Sequence, residues 1–307
     1  MKRIIPCVVI TLALVLAGSY FPLFGFIGLI IAPVPLAVLG CSDGHKPMSI
    51  AELLVEATLF FIVSPSMAVY FLLGCAPLSA AIFGVSREDF KAAKKYSCSE
   101  SLLLCAGASI IFKLIVLAVF WMFTGRNIML PDLTSMDSVI VQLYGEQPEL
   151  RTAMARVLGI LPHLVPAMLI LWCCAEVIVN YALCSRLTQK LKDTPPALPK
   201  FSRWRFPLSL MAVSVVSLAA SYFIDTDKWL AGAVFIMNLQ IIVNVFMFVQ
   251  GVSMAFWIME GFRFRRLGKM IVLAVLMMPF FWPWMIVIGM CDMVLNLRER
   301  IRFGKDP

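Results

Sequence analysis

Apolar residues in this chain come in long runs with very few charges, and short basic gaps separate the runs. The runs cover 4–40, 51–84, 101–124, 157–184, 207–224, 230–258 and 271–297. An α-helix rises ~1.5 Å per residue and a bilayer's hydrocarbon core is ~30 Å thick, so ~20 residues cross it. The four runs from 101–124 to 230–258 therefore predict single long spans. The first two would be roughly 55 and 50 Å long if straight, so each needs a break. Gly18 to Pro22 and Ser64-Pro65-Ser66 supply the breaks, and 4–40 and 51–84 are expected to be short helical hairpins. The last run is interrupted by Met278-Pro279-Phe280-Phe281-Trp282-Pro283-Trp284. It reads as a proline-broken hairpin, either meeting near the far interface or re-entrant within the bundle. The fold class is all-α: residues 1–307 form a single integral membrane domain, a polytopic transmembrane helix bundle. It holds about 8 to 10 crossing or half-crossing helices by this arithmetic.

The gaps set the orientation. Arg87, Lys91, Lys94 and Lys95 fill one; Arg186, Lys190, Lys192, Lys200, Arg203 and Arg205 fill the next; Arg263, Arg265, Arg266 and Lys269 fill a third. By the positive-inside rule all three are cytoplasmic. The 125–156 connection, with Asp132, Asp137, Glu146 and Glu149, and the Asp225 to Lys228 turn then fall outside. The tail carries Arg298, Arg300, Arg302 and Lys305, so the 271–297 segment must return to its starting side, and both termini are expected in the cytoplasm. Pro131 starts an amphipathic helix through Leu143, and Pro148-Glu149 opens a helix that enters the membrane at Val157 and is kinked by Pro162 and Pro166. The proline-rich stretch from Lys192 to Pro207 is expected to be non-helical and to lie along the inner surface. Lys2-Arg3, the apolar stretch to Ala17 and Gly18-Ser19 imitate a secretory signal, but the apolar run continues to Gly40, which favours a membrane hairpin. A lipoprotein signal would need cysteine where Ser19 stands.

Composition sharpens this picture. Hydrophobic residues make up 61% of the chain and charged residues 14%, which excludes a soluble globule. The formal net charge is +8, but its 26 basic residues fall almost wholly into the gaps, so the charge reports topology and implies no nucleic-acid partner. Nine cysteines without a CxxC pair, and only two histidines, predict neither a disulfide framework nor a metal site or other cofactor. GxSxG, HExxH, phosphate-loop and GxGxxG patterns are missing, and no enzymatic activity is expected.

Ionisable groups at membrane depth are functional candidates by default. Lys113 lies mid-span, too deep for its stem to reach water, and Glu176 on the following span is its expected partner. Asn180 shares a face with Glu176, Cys173 and Trp172. On the 230–258 span, Gln240 and Asn244 share a face, while Asn238 and Gln250 point elsewhere. Lys113, Glu176, Asn180, Asn238, Asn244 and Gln250 are the substrate-binding candidates, although such amides often bridge helices for ~0.6 kcal/mol each. Asp292, near the inner interface, is expected to pair with a nearby base such as Arg298. His163, between two prolines, reads as an interfacial residue.

Several stretches together resemble the YybS-like family of bacterial polytopic membrane proteins, a family named as a domain of unknown function. They are Asn180-Tyr181 ahead of Arg186, the loop Phe201-Ser202-Arg203-Trp204-Arg205-Phe206-Pro207, Asn238-Leu239, Gln250-Gly251-Val252-Ser253, Gly289-Met290-Cys291-Asp292, and Leu297-Arg298-Glu299-Arg300. The match is order-preserving and lies mainly in the C-terminal half. It implies a bacterial cytoplasmic (inner) membrane protein and makes Trp204, Arg205, Asp292 and Arg298 structural or interface candidates. More distantly, the chain is similar to substrate-binding subunits of energy-coupling-factor transporters, which present spaced alanines to a partner as Ala13 and Ala17 would here; this is fold-level analogy. The expected function is a transporter-like or small-substrate-binding membrane subunit, in contact with the lipid bilayer, a small molecule and a cytoplasmic or membrane protein partner. The alternative is a non-catalytic scaffold or assembly factor docking a cytoplasmic partner. A transporter should project Lys113 or Glu176 into a pocket of a few hundred Å³. A scaffold should consume both groups in a packed interior.

Overall fold

The computed structural model describes residues 3–20, 22–87, 97–124, 148–224, 229–262 and 264–301. The expected 131–143 helix, the 225–228 turn and the tail beyond 301 lie outside them. Among the described residues every regular element is helical. Four helices are long and apolar enough to cross a membrane, Pro65–Ser86, Cys98–Phe123, Gly159–Leu187 and Leu230–Gly261, and a fifth span is possible if the bent pair Arg266–Leu276 and Pro279–Leu295 counts as one. The described residues group into two compact units. The first holds residues up to Ala155 and Leu169–Leu198; the second holds Arg156–Met168 and everything from Pro199.

In the first unit, α1 (Ile4–Tyr20) and α2 (Pro22–Ile31) pack closely where Gly28 faces α1. A Cβ on Gly28 would stand 2.5 Å from the Leu14 carbonyl oxygen, so only glycine permits this approach. The chain continues as α3 (Pro33–Asp43), which ends at Gly44 in a positive-φ conformation (φ 91°) that glycine adopts without strain. The 51–84 segment starts earlier than expected, at His45. It comprises α4 (His45–Thr58) with a π-turn over Leu59–Val63, then α5 (Pro65–Tyr70), a second π-turn over Phe71–Cys75, and α6 (Ala76–Ser86). The break falls at Ser64, as its proline neighbour implied. Ser64 is extended, its Oγ accepts the Met67 N–H at 3.2 Å, and Pro65 occupies the first helical position. Next come α7 (Cys98–Thr124) and α8 (Pro148–Leu187), a 40-residue helix that contains Pro162 and Pro166. Val15, Leu36, Leu59 and Phe71 centre one apolar core, and Leu78, Ile82, Tyr181 and Cys184 a second.

In the second unit a 3-10 turn at Phe201–Arg203 interrupts an otherwise irregular loop, followed by α9 (Leu208–Phe223) and α10 (Leu230–Gly261). Then come α11 (Arg266–Leu276), α12 (Trp282–Leu295) and the short α13 (Leu297–Arg300). α10 and α12 cross at glycines. A Cβ on Gly251 would lie 2.0 Å from the Met285 carbonyl oxygen, and one on Gly289 would lie 2.1 Å from that of Met247. The last run is a pair of helices broken at its prolines. Its arms bend by 81°, and the Trp282 ring lies tilted against Phe248 of α10 with centroids 5.8 Å apart. Asn296 ends α12 in the left-handed region (φ 47°), which asparagine tolerates better than most residues.

The surface is apolar: Phe61, Phe123, Tyr222 and Phe223 are each more than 80% exposed. A water-facing surface would not tolerate this, whereas acyl chains solvate it.

Candidate functional site

The first unit buries the mid-membrane charges. Lys113 Nζ on α7 donates to Glu176 Oε2 on α8 and to Ser109 Oγ one turn back on its own helix at 3.3 Å. The two charged side chains are 8% and 2% exposed, so the pair is removed from both lipid and water. Asn180, one turn beyond Glu176, donates through Nδ2 to the Ile30 carbonyl at 2.6 Å and to the Glu176 carbonyl at 2.7 Å. Its Oδ1 is buried without a partner. Neither of the two cavities described below is lined by these three residues.

In the second unit Asn238 repairs a helix. Its Nδ2 donates to the His163 carbonyl at 2.6 Å and its Oδ1 accepts the Ala167 N–H at 2.8 Å. His163 and Ala167 are four residues apart on α8, the two groups that a straight helix would pair with each other. Pro166 has no N–H and crowds the preceding turn. The Asn238 amide therefore satisfies the two backbone groups at the kink from a neighbouring helix.

Beside this kink lies a cavity of about 300 Å³ between α8, the end of α9 and the start of α10. Its walls include Ile160, Val234 and Met237, with His163, Ser221 and Gln240 as the polar lining. Gln240 Nε2 is buried and has no hydrogen-bond partner. The amide is thus an unused donor at the wall of an apolar cavity, where leaving it unpaired costs about 1–3 kcal/mol.

The motif residues of the C-terminal half converge on a buried polar hub. Arg298 Nε donates to Asp292 Oδ2 at 3.0 Å, Nη1 to the Ser202 carbonyl at 2.6 Å and Nη2 to Ser253 Oγ at 3.2 Å. Gln250 accepts the Phe206 N–H at 3.0 Å through Oε1 and donates through Nε2 to Asp292 Oδ2. Ser253 Oγ lies 2.7 Å from the Phe201 carbonyl and 3.1 Å from that of Trp204. Burial pulls the Arg298 pKa down and the adjacent Asp292 opposes it; an arginine stays protonated throughout. Ser202 Oγ donates to Glu260 at 2.8 Å, and Lys269 stands 4.0 Å from the other oxygen of that carboxylate. Both ends of the bent segment are therefore tied to the 201–206 loop.

The expected binding residues thus separate. Lys113, Glu176 and Asn180 cluster in the first unit; Asn238 and Gln250 serve the kink and the hub in the second. Asn244 is exposed, one turn along α10 from Gln240 and outside the lining of the cavity beside α8. Ala13 is exposed on α1 and Ala17 half-buried. Trp204 Nε1 donates to the Pro199 carbonyl at 3.1 Å, and Arg205 pairs with Glu299 at 2.7 Å. Sequence reading missed the cavity itself. Gln240 shows in the sequence as an amide at membrane depth and His163 as a histidine between prolines, but their meeting depends on the kink.

A family described as "Predicted membrane protein (DUF2232)" matches residues 9–293, and the chain belongs to that family. It is a multi-pass integral membrane protein. It is also 23% identical over 295 residues to "Uncharacterized protein YybS" of Bacillus subtilis (strain 168), covering 92% of each chain. No solved structure matches it.

Proposed function

We propose that this family member is a transporter-like, small-substrate-binding subunit of a bacterial cytoplasmic membrane, and that its binding site is the α8–α9–α10 cavity. One observation carries the reading: the buried, unpartnered Gln240 amide at the wall of an apolar cavity of about 300 Å³. That is the lower end of the size range of ligand sites, where a few polar groups orient a mainly apolar molecule. The chemistry fits an apolar molecule bearing a hydrogen-bond acceptor. Lys113 and Glu176 neutralise each other and act as a clasp between helices.

Two contacts support an arrangement with both termini cytoplasmic. Arg3, at the start of α1, lies 3.1 Å from Asp43 at the end of α3, so a chain entering at Arg3 returns to the same level. Arg298 and Glu299 bind the Ser202 carbonyl and Arg205, which supports putting the end of the chain on the side of the basic connector. A count of about 8 to 10 crossing or half-crossing helices requires the shorter apolar helices Ile4–Gly18, Ile27–Asp43 and Leu208–Phe223 to enter the membrane beside the long ones. By fold-level analogy, an energy-coupling partner would seat on α1 at Ala13.

A second reading, a non-catalytic scaffold docking a cytoplasmic partner, draws on one observation: the mid-membrane charges are consumed by each other. Native mass spectrometry of the purified protein separates the two readings. A bound small molecule is expected on the natural chain, lost when Ala233→Trp fills the cavity, weakened by Gln240→Leu and kept when Lys113→Met and Glu176→Leu are combined. A chain that carries no such mass, or a mass indifferent to Ala233→Trp, would favour the scaffold.

A further inference from the structure

The first unit contains a second cavity, of about 440 Å³, where the start of α1, the end of α3 and the end of α8 come together. Three cations line it, Arg3, Arg186 and Lys190, and Val38, Leu187 and Leu191 form its apolar side. Each contributing helix end is also the end of an apolar segment: Ile4–Gly18 begins there, and Ile27–Asp43 and Gly159–Leu187 finish there. The cavity therefore sits where the apolar layer stops. Arg3 is paired with Asp43, whereas Arg186 and Lys190 form no ion pair among the described residues. Cations at a helix C-terminus compensate its dipole, which accounts for Arg186. Lys190 stands beyond the end of α8, and Arg3 stands at the N-terminal end of α1, where the dipole disfavours a cation. Asp43 accounts for Arg3, so Lys190 is the cation at the cavity that neither the dipole nor an ion pair among the described residues explains.

We propose that this cavity binds the phosphodiester headgroup of an anionic membrane lipid. Guanidinium and ammonium groups suit phosphate oxygens, and basic pockets among helix ends at a membrane boundary select such headgroups. The apolar side argues against free phosphate, which has nothing to place there, and suits the glycerol and upper acyl carbons of a lipid.

The test uses the full chain in nanodiscs of equal phosphatidylglycerol and phosphatidylcholine. After extraction, native mass spectrometry identifies the lipid that stays bound. Phosphatidylglycerol is expected to be enriched on the natural chain, and Arg186→Gln with Lys190→Gln lowers the enrichment by roughly tenfold or more. Arg3→Gln, which leaves α8 untouched, lowers it about fivefold. Both sets of positions are exposed, and an unchanged melting temperature checks that folding is intact. Arg300→Gln, in the other unit, leaves the enrichment as it was. Equal retention of both lipids by the natural chain, enrichment unmoved by the substitutions, or displacement of the lipid by inorganic phosphate alone would each overturn the assignment.

Discussion

The two units bury charge in opposite ways. In the first, Lys113 and Glu176 come from separate helices and form a nearly self-contained pair, to which, among the described residues, Ser109 adds a side-chain hydrogen bond. In the second, Asp292 and Arg298 are six residues apart, and their bonds extend to Gln250, Ser253 and the Ser202 carbonyl. The first arrangement joins two helices and nothing else. The second fixes the 201–206 loop by taking up its Ser202 carbonyl and its Phe206 N–H, so its charges are tied to chain geometry. A pair can be exchanged for apolar groups of like volume; a hub cannot, because the groups it serves would stay behind unpaired.

The comparison can be broken in graded steps. The largest effect is expected from Lys113→Ala or Glu176→Ala, each leaving a buried charge unpaired at about 3–5 kcal/mol, read from unfolding in detergent. Gly289→Ala follows: its Cβ would stand 2.1 Å from a backbone oxygen that cannot rotate away, and α10 and α12 must separate at about 2–3 kcal/mol. Asn238→Leu reopens the kink by unpairing the His163 carbonyl and the Ala167 N–H, for about 2 kcal/mol, with increased hydrogen exchange at Ala167. Arg205→Gln removes only the exposed pair with Glu299, whose side chains are 41% and 65% accessible; a loss below about 1 kcal/mol that vanishes in high salt is expected.

Much of this was legible in the sequence, and the reasons differ by region. Length and hydropathy located three of the long helices, near 101–124, 157–184 and 230–258, because a bilayer fixes the length of a crossing helix; Leu208–Phe223 is shorter, and Pro65–Ser86 is long enough where a short hairpin was expected. Ser64-Pro65 located a break because serine caps and proline starts a helix. The Lys113 to Glu176 pair was legible because an unpaired charge at that depth is too costly to leave alone. The hub residues were visible as motifs, but their common purpose was not, since it lies in backbone carbonyls of a loop that has no periodicity. The cavity was hidden for a related reason. It depends on how the segment around Pro166 lies against α9 and α10 and on the Asn238 amide that ties it to α10, and residue spacing encodes neither.

The most direct test of the contrast is to replace both buried pairs by apolar isosteres and compare unfolding free energies side by side. Lys113→Met with Glu176→Leu is expected to return to within about 1 kcal/mol of the natural chain. Asp292→Leu with Arg298→Met should remain destabilised by about 3 kcal/mol or more, since Gln250 Nε2 and the Ser202 carbonyl are left without partners. Equal recovery of both double variants, or failure of the first to recover, would contradict the account.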